Sequence, residues 1–210
     1  MTPWLLVDYG EVISLAYDAT VQQRVATLLG ITPETLSERY WPDRLALDAG
    51  LPSDEYWSRV AGRTVSVNEA RELDRVDIGG WARLDPRMLD LLDEQAAAGV
   101  RLALLSNAPL IQAEAFDELA WTDRFEHVFV SSRIGLVKPD PAIYTHAIAA
   151  MGADPGEVTF VDDKEVNVDG AVRAGLRGVV FRGVDRLRRD LGYGDQASAG
   201  RGPGWWAAPA

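Results

Sequence analysis

Five short, largely apolar runs punctuate this chain: Leu5–Val7, Leu102–Leu105, Val128–Val130, Val158–Val161 and Gly178–Phe181. Each is too short and too uniformly apolar for an amphipathic helix, and reads as a buried strand. The segments between the later runs carry helix punctuation. Asp85-Pro86 supplies an N-cap and first-turn proline for "MLDLLDEQAAAG", which stops at Gly99. Asp140-Pro141 opens "AIYTHAIAAMG", and Val166 to Ala174 forms a third helix closed by Gly175. Strands alternating with helices at this spacing predict an α/β fold, a doubly wound parallel sheet with helices on both faces.

The first interval breaks the rhythm. Roughly ninety residues separate the first two strands, far more than a crossover needs. It has helix signals of its own: "VQQRVATLLG", "TPETLSERYW" starting at Thr32-Pro33, "SDEYWSRV" capped by Ser53, and "SVNEARELDR" with a Ser66…Glu69 capping box. Residues 15–84 are therefore expected to be a helical subdomain inserted into a core made of 1–14 and 85–192. The stretch 193–210, "YGDQASAGRGPGWWAAPA", is Gly/Ala/Pro-rich without a period and is expected to be a flexible tail. Trp205 and Trp206 within it are assigned no chemistry.

Composition narrows the function classes. A length of 210 residues with 47% hydrophobic content supports a full core. A net charge of −11 argues against nucleic acid or an anionic membrane as partner. It leaves room for a small anionic substrate, because a metal ion and a lysine reverse the sign locally. With no cysteine there is no disulfide, thiolate metal site or cysteine nucleophile. No signal-like segment and no apolar run of membrane-spanning length is present, so a cytoplasmic protein, monomer or homodimer, is expected. Phosphate-loop, dinucleotide and serine-hydrolase motifs are all missing.

In open parallel sheets, ligands bind at the carboxyl ends of the strands. Asp8 follows the first strand, Ser106-Asn107 the second, Lys138 lies in "GLVKPDP" after the third, and Asp162-Asp163 follow the fourth. Taken singly, each has an ordinary explanation as a turn, cap or solvated loop residue. Together they suit metal-assisted phosphoryl transfer. Asp8 and Asp163 offer hard oxygens for Mg²⁺, Ser106 and Lys138 can hold phosphate oxygens, and Asp8 can attack phosphorus. Lysine is otherwise scarce, Lys164 being the second of two.

These motifs resemble those of the haloacid dehalogenase superfamily: "LLVDYGEVI", "LLSN", Lys138 in "GLVKPDPAIY" and "FVDDKEVNV", over about residues 4–190. The "DD…N" ending (Asp162, Asp163, Asn167) and the passage "LALDAGLPSDEYW" resemble the branch holding glucose-1-phosphate phosphatases and the N-terminal phosphatase domain of epoxide hydrolases. The resemblance implies a Rossmann-like core, with 15–84 as the helical cap. Asp8 would be nucleophile and metal ligand, Gly10 a carbonyl ligand and Asp163 the second carboxylate ligand. Ser106, Asn107 and Lys138 would bind phosphate, with Asp162 and Asn167 in support. It further implies Mg²⁺ as cofactor and a small phosphorylated metabolite as substrate, sugar phosphates leading.

One departure stands out. Phosphatases of that family usually carry a second aspartate two residues after the nucleophile, as acid and base; here the position is Gly10. Three readings follow: substrates that need little protonation (anomeric, acyl or aryl phosphates), a proton from Glu11 or the cap, or a catalytically weakened binding protein. Glu11 would point away from Asp8 if the segment were extended. Dehalogenases of the family use the aspartate on carbon without metal, and typically have an aromatic residue at the Gly10 position; Tyr9 is one place early. Glu165, Asp169, His127, His146 and the basic "RLRRDLG" helix are expected to be structural or solvated. Of the cap aromatics Tyr40, Trp41, Tyr56 and Trp57, most should form the cap's own core, with one or two facing the cleft.

Overall fold

The strands form because branched and aromatic side chains fill both faces of a central sheet. In the computed structural model, which describes residues 2–192, the order along the chain is β1 (Trp4–Val7), α1 (Ala19–Leu29), α2 (Pro33–Tyr40), α3 (Arg44–Asp48), α4 (Ser53–Ala61), α5 (Val67–Gly79) and α6 (Pro86–Ala97). There follow β2 (Arg101–Ser106), α7 (Leu110–Glu118), β3 (His127–Val130), α8 (Ser131–Ile134), α9 (Pro141–Met151), β4 (Val158–Asp162), α10 (Glu165–Arg173), β5 (Arg177–Val180) and α11 (Val184–Asp190). The strands pair in parallel in the order β3-β2-β1-β4-β5. All five expected strands are present. The expectation about the tail, with Trp205 and Trp206, lies outside the described residues.

Alternation along β1 separates two cores. Leu5 and Val7 join Met88, Leu91, Leu102, Leu104, Phe116 and Leu187 on one face. Trp4 and Leu6 join Ala103, Ile143, Tyr144, Phe160 and Ala171 on the other. A third cluster, including Val25, Leu36, Tyr40, Tyr56, Trp57 and Leu73, belongs to α1–α5 alone. The chain leaves and re-enters the core side by side: Ser14 bridges Leu84, Leu15 N–H donates to Arg83 O at 2.7 Å, and Asp85 N–H to Ile13 O at 2.9 Å. A second tie runs from Ser131 Oγ to the carbonyl of Asp48, 2.6 Å.

Several local expectations are corrected. Ser53 is the first helical residue of α4 rather than its cap; Pro52 precedes it with no side-chain cap. The Ser66…Glu69 capping box is half made: Ser66 Oγ accepts from Glu69 N–H at 3.3 Å, while the Glu69 carboxylate turns to Arg63. Helices α3, α7 and α8 were not expected; none has a side-chain cap, and α3 and α8 are only five and four residues long.

Candidate active site

The ends of β1, β2 and β4 lie side by side, so parallel register alone gathers most of the expected groups. Val7 pairs with Leu104 and Val161, and Asp8 N–H donates to Val161 O at 2.9 Å, which sets Asp8 beside the last residues of β2 and β4. Lys138 is buried between two carboxylates, its Nζ 2.7 Å from Asp8 Oδ1 and 2.6 Å from Asp162 Oδ2. Asp162 also accepts from Lys164 N–H at 2.9 Å and from Asn167 Nδ2, 3.0 Å from both oxygens. The Asn107 amide grips the main chain of Lys138 at both ends, 2.9 Å each way. Asn107 and Asn167 thus hold the lysine loop and Asp162, while Ser106 lines the cleft with its hydroxyl free of partners among the described residues.

The electrostatics are unbalanced. Ligand oxygens of Asp8, Asp162 and Asp163 lie within 4.8 Å of one another. The Lys138 ammonium contacts two of the three carboxylates, the exposed Lys164 on the same cleft acts on Asp163, and the Asp163 carboxylate has no hydrogen-bond partner among the described residues. Burial pushes the Asp8 carboxyl up to about 7, opposed by Lys138 and reinforced by Asp162. Asp163 is raised by burial and then by Asp162. Burial works to lower Lys138, but Asp8 and Asp162 outweigh it and hold its pKa above the ordinary lysine value. A compact set of hard oxygens, short of positive charge and only partly hydrogen-bonded, fits a divalent cation of the Mg²⁺ kind.

A stability test follows. A carboxyl raised on folding binds a proton the unfolded chain has already lost, so metal-free stability falls as pH rises from about 4 through about 7. Thermal melts without metal should show this decline in the parent, less of it in Asp8→Asn, and a stabilisation by Mg²⁺ that grows towards pH 8. An identical pH slope in both proteins would contradict the electrostatic picture.

The cleft itself measures about 510 Å³. Glu11 lines it, and here the extended-segment expectation is corrected. The chain turns after Asp8, with Val12, Ile13 and Ser14 N–H groups all donating to Tyr9 O, and Glu11 sits at φ 56°. Trp41 is the expected cap aromatic that faces the cleft, whereas Tyr40, Tyr56 and Trp57 are buried in the cap core. Sequence reasoning missed Leu45, Trp81 and Gln112 on the cleft wall. Only the spacing of Trp41 and Leu45, four residues apart across the α2–α3 junction, offered a signal. His146, Glu165 and Asp169 are exposed, and His127 is half-buried between the Trp4 and Phe129 rings.

A parallel α/β core with a carboxylate nucleophile candidate and a cation-ready acidic set at its strand ends defines a Rossmann-like hydrolase. Residues 7–175 match the model of the haloacid dehalogenase-like hydrolases, and the chain belongs to that family. Phosphatase MT3486 of Mycobacterium tuberculosis is 29% identical over 174 residues, 79% of each chain. Flavin mononucleotide hydrolase 1 of Arabidopsis thaliana is 29% identical over 150 residues, 70% of this chain and 60% of its own length. The chain therefore spans less than two thirds of that relative. A HAD-family enzyme of Bacteroides thetaiotaomicron, solved with magnesium and inorganic phosphate, shares the fold at TM-score 0.69 and 23% identity, covering 86% of this chain and 94% of that one. No helix among the described residues is long and apolar enough to cross a membrane.

Proposed function

We propose that this chain is a Mg²⁺-dependent phosphatase that releases phosphate from a small phosphorylated metabolite through an aspartyl phosphate on Asp8. The observation that carries the reading is the buried Lys138 bridging Asp8 and Asp162, with the Asp163 carboxylate clustered beside them. Phosphatase-named relatives support it. Asp8, Asp163 and the Gly10 carbonyl would hold Mg²⁺, which supplies positive charge against the anionic substrate and nucleophile. The Asp8 carboxylate attacks phosphorus as the ester oxygen departs, and water then cleaves the new P–O bond to free Asp8. Ser106 and Lys138 hold the non-bridging oxygens as charge shifts onto them. A cytoplasmic monomer or homodimer, with no nucleic-acid partner, belongs to the same proposal.

Gly10 brings no acid to the leaving oxygen. Such a site favours leaving groups that depart without protonation: anomeric sugar phosphates, acyl phosphates and aryl phosphates. A Cβ placed on Gly10 would meet only Trp81 Cζ3, at an ordinary 3.7 Å, so a side chain can start there. With Mg²⁺ at neutral pH, the parent is expected to hydrolyse aryl and anomeric phosphates but hardly a primary alkyl phosphate. Gly10→Asp should raise alkyl phosphate turnover by about two orders of magnitude, the usual scale of acid–base assistance. Equal turnover of alkyl and activated esters by the parent would contradict the role given to Gly10. No turnover of any ester with Mg²⁺ would contradict the phosphatase reading itself.

A further inference from the structure

We infer that the leaving group this cleft accepts is a flat aromatic body, so that the substrate class is an aryl or heteroaryl phosphate; the inference rests on the phosphatase reading above. Trp41 is 54% exposed and Leu45 48% exposed, and both line the cleft that holds Asp8. Large apolar side chains left open inside a site, rather than scattered over the surface, mark surface that a ligand covers. Trp81 stands next to Gly10, in the space beside the nucleophile where the family's usual second aspartate would project. An indole thus borders the position that lacks an acid. Rings stack on such a wall, and a phenol-type oxygen also leaves with less help than an alkoxide.

The polar groups on the cap side are largely turned on one another. Arg44 donates to Asp48 at 3.1 Å, to Asp77 at 3.0 Å and to the Tyr40 hydroxyl. Gln112 differs: it is only 5% exposed, lines the cleft, and its side-chain amide has no hydrogen bond among the described residues. That amide borders the open cleft, where a ligand atom can take the place of water. It offers both a donor and an acceptor to the polar edge of a ring. The structure thus combines an aromatic and aliphatic wall with one free amide.

The test separates stacking from leaving-group chemistry. Acetate, the conjugate base of an acid of pKa about 4, leaves more readily than a naphtholate, whose parent resembles a phenol of pKa about 10. Reactivity alone therefore favours acetyl phosphate over naphthyl phosphate. The expected result is the reverse, with kcat/KM for naphthyl phosphate roughly tenfold above both acetyl phosphate and glucose 1-phosphate, through a lower KM. Trp41→Ala should reduce that selectivity at least fivefold by raising KM for the naphthyl ester, and Trp41→Phe should keep most of it. Equal or better kcat/KM for acetyl phosphate or glucose 1-phosphate, or an unchanged selectivity in Trp41→Ala, overturns the inference and leaves the phosphatase reading standing. If nothing is turned over, binding of naphthylmethylphosphonate with Mg²⁺, followed by indole fluorescence, decides the matter. Binding weakened by Trp41→Ala keeps the aromatic site while the phosphatase reading falls, and no binding overturns both.

Discussion

Asp8→Asn is expected to fold like the parent and to lose roughly four orders of magnitude in turnover, the scale on which removing a covalent nucleophile acts. The substitution preserves shape and hydrogen bonding to the buried Lys138 but removes the charged oxygen proposed to attack phosphorus. Its stability should not suffer. The carboxyl is pushed up to about 7 by burial, so above neutral pH the parent holds a charge it would rather lose, and the amide does not. Steady-state assays with an aryl phosphate and thermal melts on the same preparation check both halves. A variant that melts far below the parent would show instead that Asp8 is needed to hold the lysine in place. A variant with near-parent turnover would remove Asp8 from the chemistry.

Lys138→Met carries the second large effect, and its direction is opposite in stability. The ammonium lies fully buried between Asp8 and Asp162, which would then face each other without a counter-charge. Breaking a buried ion pair from one side costs about 3–5 kcal/mol. For a chain of this size that corresponds to a melting point lower by roughly 6–20 °C, at about 2–4 °C per kcal/mol. Adding Asp8→Asn to Lys138→Met should recover part of the loss, since one of the stranded charges is gone. A double-mutant cycle measures the coupling directly. Additive losses would mean that Lys138 and Asp8 do not share one electrostatic network.

Much of this arrangement could be read from the residues because several levels agreed. Each strand run ended in a polar residue, and parallel register then forced Asp8, Ser106 and Asp162 to one edge. Helices with Asp-Pro starts, α6 and α9, were found where those pairs stand, with Asp85 and Asp140 accepting from the second residue on. Helix α7 was not, because Pro109 offers its start no side-chain cap. The cleft wall was harder still. Trp41 and Trp57 look alike in sequence, yet one is half exposed over the site and the other is fully buried, donating to Asp74 at 2.7 Å. That difference is set by how α2, α3 and α4 pack, which no local pattern encodes. Glu11 failed the extended-strand argument for a related reason: the turn after Asp8 closes on the Tyr9 carbonyl and bends the chain.

Acid-quenching the enzyme during turnover of an aryl phosphate with Mg²⁺ tests covalent chemistry at Asp8 most directly. The expected result is a phosphoryl adduct on the peptide containing Asp8, absent without Mg²⁺ and absent in Asp8→Asn. Sustained turnover with no adduct on that peptide, or an adduct that survives in Asp8→Asn, would contradict it.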